Sequence, residues 1–264
     1  MAASSTLLVV DVGNTNVVLG IFRGESLVTS WRLSTTRDRT ADEYGILVKQ
    51  LVSGVTSERV DGAIVSSVVP PLNSTMSQMV SKYFNIDPLF VEPGIKTGLA
   101  IQVENPLEVG ADRIVNAVAT FEIYGGPSIV VDFGTATTFD LVSANAEYQG
   151  GVIAPGLTIS SEALFARAAR LPRVDVRRPP QLIGTNTVAG MQSGIYFGYL
   201  GLVDGILARM KQEVPDLKTV VATGGLAELL AEDSEHIEHL DPELTLKGLK
   251  IIYERNRKPK RARR

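Results

Sequence analysis

The chain of 264 residues carries a formal net charge of −3, 44% hydrophobic side chains, two histidines and no cysteine. The lack of cysteine excludes disulfides, thiolate metal centres and a cysteine nucleophile, and His236 and His239 in one polar stretch make a histidine zinc centre or a serine-histidine triad an unexpected reading. No apolar run approaches a bilayer span and no basic residue precedes the first apolar stretch, so a cytoplasmic chain without a membrane partner is expected.

Thr6 to Gly20 reads TLLVVDVGNTNVVLG. Leu7 to Val10 form a predicted buried strand ending at Asp11, followed by a polar turn and a returning strand from Val17. A carboxylate at a strand end, with Gly13 admitting close backbone approach and Asn14, Thr15 and Asn16 as donors, suits phosphates and a hydrated cation. A plain hairpin uses the same residue types. Ser26 to Leu33 alternates as a third strand, with Leu27, Thr29, Trp31 and Leu33 on one face. Thr40 to Glu43 signal a helix start, with a stripe of Ile46, Leu47 and Leu51 out to Gly54. Asp61 to Val69 is a buried strand stopped by Pro70 and Pro71, Asn73 to Phe84 an amphipathic helix, and Pro88 to Val91 a short strand.

Thr97 to Val103 reads as a loose extended segment. Gly110 then opens a helix whose buried face is Ile114, Val115, Val118 and Phe121, running to Gly125 and bridging two halves. Its first turn carries Asp112 and Arg113. An acid there is favoured by the helix dipole alone, but an aspartate that meets a hydroxyl beside a guanidinium that holds a carboxylate is also a substrate site.

Val130 to Val142, VVDFGTATTFDLV, repeats the first hairpin: Asp132 corresponds to Asp11 and Gly134 to Gly13, with Thr135 as a further donor. A repeat half a chain away implies a duplicated domain with two phosphate hairpins facing a cleft. Beyond it come a strand at Tyr148 to Leu157, a helix from Ile159 to Arg170, an exposed linker RVDVRRPP at 173–180, and a long helix from Asn186 to Val214. Gly190, Gly194, Gly198, Gly201 and Gly205 leave one face of that helix bare, the mark of close packing or a subunit contact. Lys218 to Ala222 is a strand running into Thr223, Gly224, Gly225 and a helix at Leu226 to Ala231, where an adenosine or phosphate sits in an open α/β sheet. Asp241 to Arg255 forms a terminal helix. Ile251 to Arg264 has net charge +6 on a body of −9, read as a solvated tail, and the acidic body speaks against a nucleic-acid partner.

Neither a Walker loop nor the protein-kinase signatures occur, so phosphate binding falls to the hairpins. Asp11 suits a Mg²⁺ held through water, and Asp112 is the best candidate for the group beside an attacking oxygen. DVGNTN at 11–16, GADR at 110–113, VVDFGTATTFD at 130–140, GGVIAPG at 150–156, GTNT with MQSG at 184–194 and ATGG at 222–225 occur together in order. The chain thereby resembles the type III pantothenate kinases, of the superfamily that holds acetate and sugar kinases, actin and the heat-shock chaperone ATPases.

The resemblance implies an α/β fold of two duplicated ribonuclease-H-like domains with mixed sheets facing across a nucleotide cleft, one over residues 1–124 and one over 125–264. It implies ATP-dependent phosphorylation of pantothenate to 4′-phosphopantothenate, opening coenzyme A synthesis, by a homodimer. Asp11, Val12, Gly13, Asn14, Thr15, Asn16, Val17 and Val18 would form the first phosphate loop, Gly134 and Thr135 the second, and Gly224 the adenosine turn. Asp112 would be the general base, with Gly110, Ala111, Asp112 and Arg113 contacting pantothenate. Asp132 would bind K⁺ or NH₄⁺, and Thr187 would touch pantothenate across the dimer interface. One departure is Val103, where many members carry a tyrosine that lines the pantothenate pocket. Three other classes compete: a sugar or acetate kinase, a non-enzymatic ATP switch, and a ribonuclease-H-type nuclease. The nuclease gives no reason for the duplicated glycine hairpin.

Overall fold

Strand β1, Thr6–Val12, is buried on both faces in the computed structural model, which describes residues 5–168 and 170–257. Burial on both sides explains why its sequence is a continuous apolar run and not an alternation. It pairs antiparallel with β2 (Asn16–Arg23), which pairs antiparallel with β3 (Ser26–Ser34). On its other side it pairs parallel with β4 (Gly62–Ser67), which pairs parallel with β5 (Leu89–Phe90). The sheet order is β3-β2-β1-β4-β5. Along the outer strand β3, half-buried and exposed residues alternate as its sequence predicts.

Helices α1 (Ala41–Ser53) and α2 (Asn73–Phe84) cover one face. α1 opens with a capping box: Glu43 N–H donates to Thr40 Oγ1 and Thr40 N–H to Glu43 Oε2, an arrangement worth about 1 kcal/mol. The expected stripe of Ile46, Leu47 and Leu51 is not its buried face. Ile46 is 59% exposed, and Tyr44, Val48 and Val52 are buried instead. Gly45 sets this rotation, because a Cβ there would lie 2.2 Å from the Tyr83 ring, so the helix turns its bare side to α2. The opposite face of the sheet packs Leu7, Val9 and Ile64 against Val115 and Val118 and against Leu246, Leu249 and Ile252. The first pair comes from α3 (Ala111–Tyr124) and the trio from α7 (Leu244–Asn256).

The second sheet has the order β11-β10-β7-β8-β9-β6, with β6 Ala100–Ile101, β7 Ser128–Phe133, β8 Ala136–Val142, β9 Glu147–Pro155, β10 Thr219–Thr223 and β11 His239–Leu240. β8 pairs antiparallel with both β7 and β9, and β10 and β11 extend the sheet in parallel from β7. Strand for strand this repeats the first sheet, with β6 added in parallel at the β9 edge. Two mixed sheets of one topology are the duplicated ribonuclease-H-like α/β fold. Tyr196, Tyr199, Val203 and Leu207 of α5 (Thr187–Glu213) cover Ile129, Val131 and Phe133, joined by Leu157 of α4 (Leu157–Arg167) and Leu230 of α6 (Ala227–Ala231).

The chain forms two compact units. The first holds the described residues up to Leu99, then Glu104–Ala119 and the described residues from Leu244 on; the second holds Ala100–Val103 and Thr120–Glu243. A sequence cut at 124/125 leaves α7 with the second half. The helix belongs to the first, because its Leu246, Leu249 and Ile252 complete that unit's core. The loose segment at 97–103 likewise contributes a paired strand to the second sheet. The linker at 173–180 has no regular structure but is tied down: Arg178 bonds both oxygens of Asp233, at 2.5 and 3.0 Å, and Gln192 donates to the Asp175 carbonyl. The basic tail begins later than its sequence implies, since Arg255 lies in α7 and donates to the Thr97 carbonyl, while residues 258–264 lie outside the described ones. Among the described residues no helix is long and apolar enough to cross a membrane.

Candidate active site

Asp11 stands near the carboxyl end of β1, opposite Ser66 in the parallel β4. The fully buried Ser66 hydroxyl donates to Asp11 Oδ1 at 2.5 Å, which fixes the carboxylate in one orientation. The turn that follows is closed by Gly13 N–H donating to the Asn16 carbonyl at 2.9 Å. Val12 and Val17 turn their side chains into the core, so a ligand at this loop meets their backbone alone, whereas Asn14 and Thr15 are exposed at the tip. Two residues not singled out in the sequence reach this loop. Thr35, just beyond β3, donates its hydroxyl to the Gly13 carbonyl at 2.7 Å and its N–H to the Thr15 carbonyl at 2.9 Å. Arg37 extends to within 3.5 Å of Asn14 Oδ1 and brings a positive charge to a loop that has none of its own. The polar run STTRDRT after β3 is the one sequence signal that could have drawn attention to them.

GADR belongs to the same unit. Val68 donates its N–H to the Val12 carbonyl at 3.0 Å, and Gly110 lies beside it, its Cβ position 3.5 Å from Val68 Cγ1. That Cβ position is also 2.5 Å from Asp112 Oδ1. The Asp112 carboxylate is therefore folded back over Gly110, where any larger residue would displace it. Its Oδ1 accepts the Arg113 N–H at 2.8 Å in the first turn of α3, so both readings of this aspartate, helix-end acid and substrate group, meet in one geometry. Arg113 and Ala111 are half-buried beside it.

In the second unit the corresponding turn closes sooner, Gly134 N–H donating to the Ala136 carbonyl at 3.1 Å. Gly156 backs this turn so closely that a Cβ would lie 2.2 Å from the Thr135 carbonyl, which explains the final glycine of GGVIAPG. Gly224 has φ +96°, and a Cβ there would be 2.5 Å from Asp132 Oδ1. Asp132, Gly134, Thr135 and Gly224 thus gather at the carboxyl ends of the adjacent parallel strands β7 and β10, the position where open α/β sheets take their ligands. Thr187 is the first residue of α5, exposed, after Asn186 whose side chain caps the helix by accepting the Ala189 N–H at 2.9 Å. Gly190, Gly194, Gly198 and Gly201 face open space within this chain. Val103, half-buried, lies against Gly150 of β9.

Among the described residues no three His, Cys, Asp or Glu side chains converge on one point. A divalent cation here would be shared between one carboxylate and ligand phosphates, which is how Mg²⁺ is held together with its waters. The oriented, half-buried Asp11 fits that donor set, and the Asp132 carboxylate offers hard oxygen donors of the same kind.

The type III pantothenate kinase family model matches residues 7–209. A type III pantothenate kinase from an Exiguobacterium species is 58% identical over 254 residues, which cover 96% of this chain and 100% of that protein. Among solved structures, a Baf family protein from Campylobacter jejuni superposes with a TM-score of 0.57 at 22% identity, covering 94% of this chain and 98% of that one. A ROK family glucokinase from Streptomyces griseus gives 0.52 at 12% identity over 95% and 98%, a likeness of fold. With the family match spanning both hairpins and GADR, and the sequence identity spanning nearly the whole chain, this protein belongs to the type III pantothenate kinase family of enzymes.

Proposed function

We propose that the chain phosphorylates pantothenate from ATP, giving 4′-phosphopantothenate and ADP as the first step of coenzyme A synthesis in the cytoplasm. The observation that carries this reading is the linkage of Asp112 to the first hairpin through Gly110 and Val68. The carboxylate read as meeting the acceptor hydroxyl and the loop read as holding phosphate thus share one sheet end, and this proximity supports the reading.

In this reading the first hairpin and the Gly134–Thr135 turn offer backbone and hydroxyl donors to the ATP phosphates, and Gly224 borders the adenosine. Arg113 holds the pantothenate carboxylate while Asp112 accepts the proton of the attacking hydroxyl. The hydroxyl oxygen bonds to the γ-phosphorus, the bond from that phosphorus to the β,γ-bridging oxygen breaks, and ADP departs with the electron pair. Asp11 holds Mg²⁺ through water, and Asp132 holds K⁺ or NH₄⁺; when bound, these cations offset charge on the phosphates. A homodimer in which Thr187 contacts the partner's pantothenate gives the bare glycine face of α5 a use, and sedimentation of a fully active monomer would reject it. The kinase reading is tested by ADP release from purified protein with Mg²⁺, K⁺ and millimolar ATP. Release that requires pantothenate, and not acetate or a hexose, is the expected result.

A further inference from the structure

We propose that Thr35 is a positioning residue for nucleotide binding: it pins the backbone of the first hairpin loop so that the loop presents its amides to phosphate. The inference rests on the reading of Asp11–Val18 as a phosphate loop and adds to it a residue outside that stretch.

Thr35 holds the loop at two points, its hydroxyl on the Gly13 carbonyl and its N–H on the Thr15 carbonyl. In a planar trans peptide the carbonyl and the following N–H point in opposite directions. Holding the Gly13 carbonyl toward Thr35 therefore turns the Asn14 N–H away from β3, and holding the Thr15 carbonyl does the same for the Asn16 N–H. Gly13 has no Cβ to resist rotation of its peptide, so without the Thr35 hydroxyl the Gly13–Asn14 peptide turns more freely.

Thr35 is itself held. The next residue, Thr36, donates its N–H to the Tyr44 hydroxyl at 3.0 Å, and that hydroxyl lies 3.2 Å from the Thr36 carbonyl, to which it donates. Tyr44 is completely buried in the core beneath α1. The pin thus connects the loop to the buried Tyr44 through the Thr35 side chain and the Thr36 backbone.

The test is calorimetric titration of a non-hydrolysable Mg²⁺–ATP analogue into wild type, Thr35→Val and Thr35→Ser, with steady-state kinetics for both substrates. Valine keeps the shape and the backbone bond to Thr15 but lacks the hydroxyl; serine restores the hydroxyl. Loss of one hydrogen bond that orients binding groups should weaken the nucleotide about tenfold in Thr35→Val, with serine within about twofold of wild type and the pantothenate KM unchanged. A general loosening of the fold would move both KM values and would not be restored by serine, and that result overturns the proposal. Thr35→Ala deletes the same hydroxyl in a second way, and wild-type nucleotide affinity in either deletion also overturns it. A wild type that binds the analogue yet shows no pantothenate-dependent turnover rejects the kinase reading while the titrations still decide the role of Thr35. A wild type that binds no nucleotide overturns both.

Discussion

The Ser66 hydroxyl donates to Asp11 Oδ1 at 2.5 Å across the parallel β1–β4 pair, with Ser66 wholly shielded from solvent. A buried donor on a carboxylate does more than satisfy it: it fixes the orientation in which the group would meet a hydrated cation. Ser66→Ala should raise the Mg²⁺–ATP KM about tenfold, the lower end of what a hydrogen bond to a charged group contributes. Initial rates at varied Mg²⁺ and ATP check this, and an unchanged KM would show that Asp11 needs no orienting partner.

Asp132 and Gly224 are coupled by the lack of a side chain at Gly224. Alanine there would be forced into a backbone region costing roughly 1–2 kcal/mol for an L-residue and would push its Cβ onto the carboxylate oxygen, 2.5 Å away. We predict for Gly224→Ala a melting temperature lowered by several degrees together with weakened activation by K⁺. Loss of stability with normal K⁺ activation would separate the turn from the cation role of Asp132.

That cation role is open to direct measurement. A carboxylate beside bound phosphates meets like-charge repulsion, which a monovalent cation relieves. Replacing K⁺ by Na⁺ or tetramethylammonium should lower turnover sharply in wild type and little in Asp132→Asn. Equal activity in all three salts would argue against the assignment.

Much of this architecture was legible in the sequence because its cause is local. The β1 apolar run, the alternation of β3, the Thr40–Glu43 capping box and the two Asp-x-Gly turns each follow from a few neighbouring residues. What escaped depends on partners distant in sequence. The Ser66–Asp11 bond spans 55 positions and the Thr35–Gly13 bond 22, and no periodicity encodes either. The buried face of α1 does not follow from its apolar stripe: Ile46 and Leu47 are more apolar than Gly45, yet the close approach of Tyr83 requires glycine to face inward. The return of α7 to the first unit is equally invisible, since its amphipathic pattern fits either sheet. RVDVRRPP reads as a linker by composition; its Arg178 finds Asp233 only once the fold is formed.

That last contact makes a prediction about acid stability. The Arg178 guanidinium, and after it the Tyr196 hydroxyl, hold the Asp233 carboxyl below its usual range. With the folded pKa below the unfolded one, the contribution is complete well above the unfolded value of roughly 3.9 and is lost as the pH falls through it toward the folded value. The difference in urea midpoint between wild type and Asp233→Asn should be largest at neutral pH and shrink below about pH 5. A difference that does not vary with pH would show that Asp233 acts by packing and not by charge.

Asp112→Asn separates the two readings that meet at the start of α3. The asparagine oxygen can still accept the Arg113 N–H that Asp112 Oδ1 accepts at 2.8 Å, and the side chain still fits over Gly110. The amide cannot take up a proton. If Asp112 accepts the proton of the pantothenate hydroxyl, kcat should fall by roughly 10²–10⁴-fold, while the KM for ATP barely changes. Phosphoryl transfer passes through a loose transition state in which the nucleophile is little bonded, so proton removal comes late and the lower end of that range is expected. A helix-end acid behaves otherwise: asparagine keeps the bond to the Arg113 N–H and loses only the attraction of a negative charge to the helix dipole, so the cost is a stability loss of about 1 kcal/mol or less with turnover intact. The measurement is kcat alongside melting temperature for one purified variant. A collapsed kcat at an unchanged melting temperature assigns the proton to Asp112, and near-normal turnover with a lowered melting temperature assigns Asp112 to the helix.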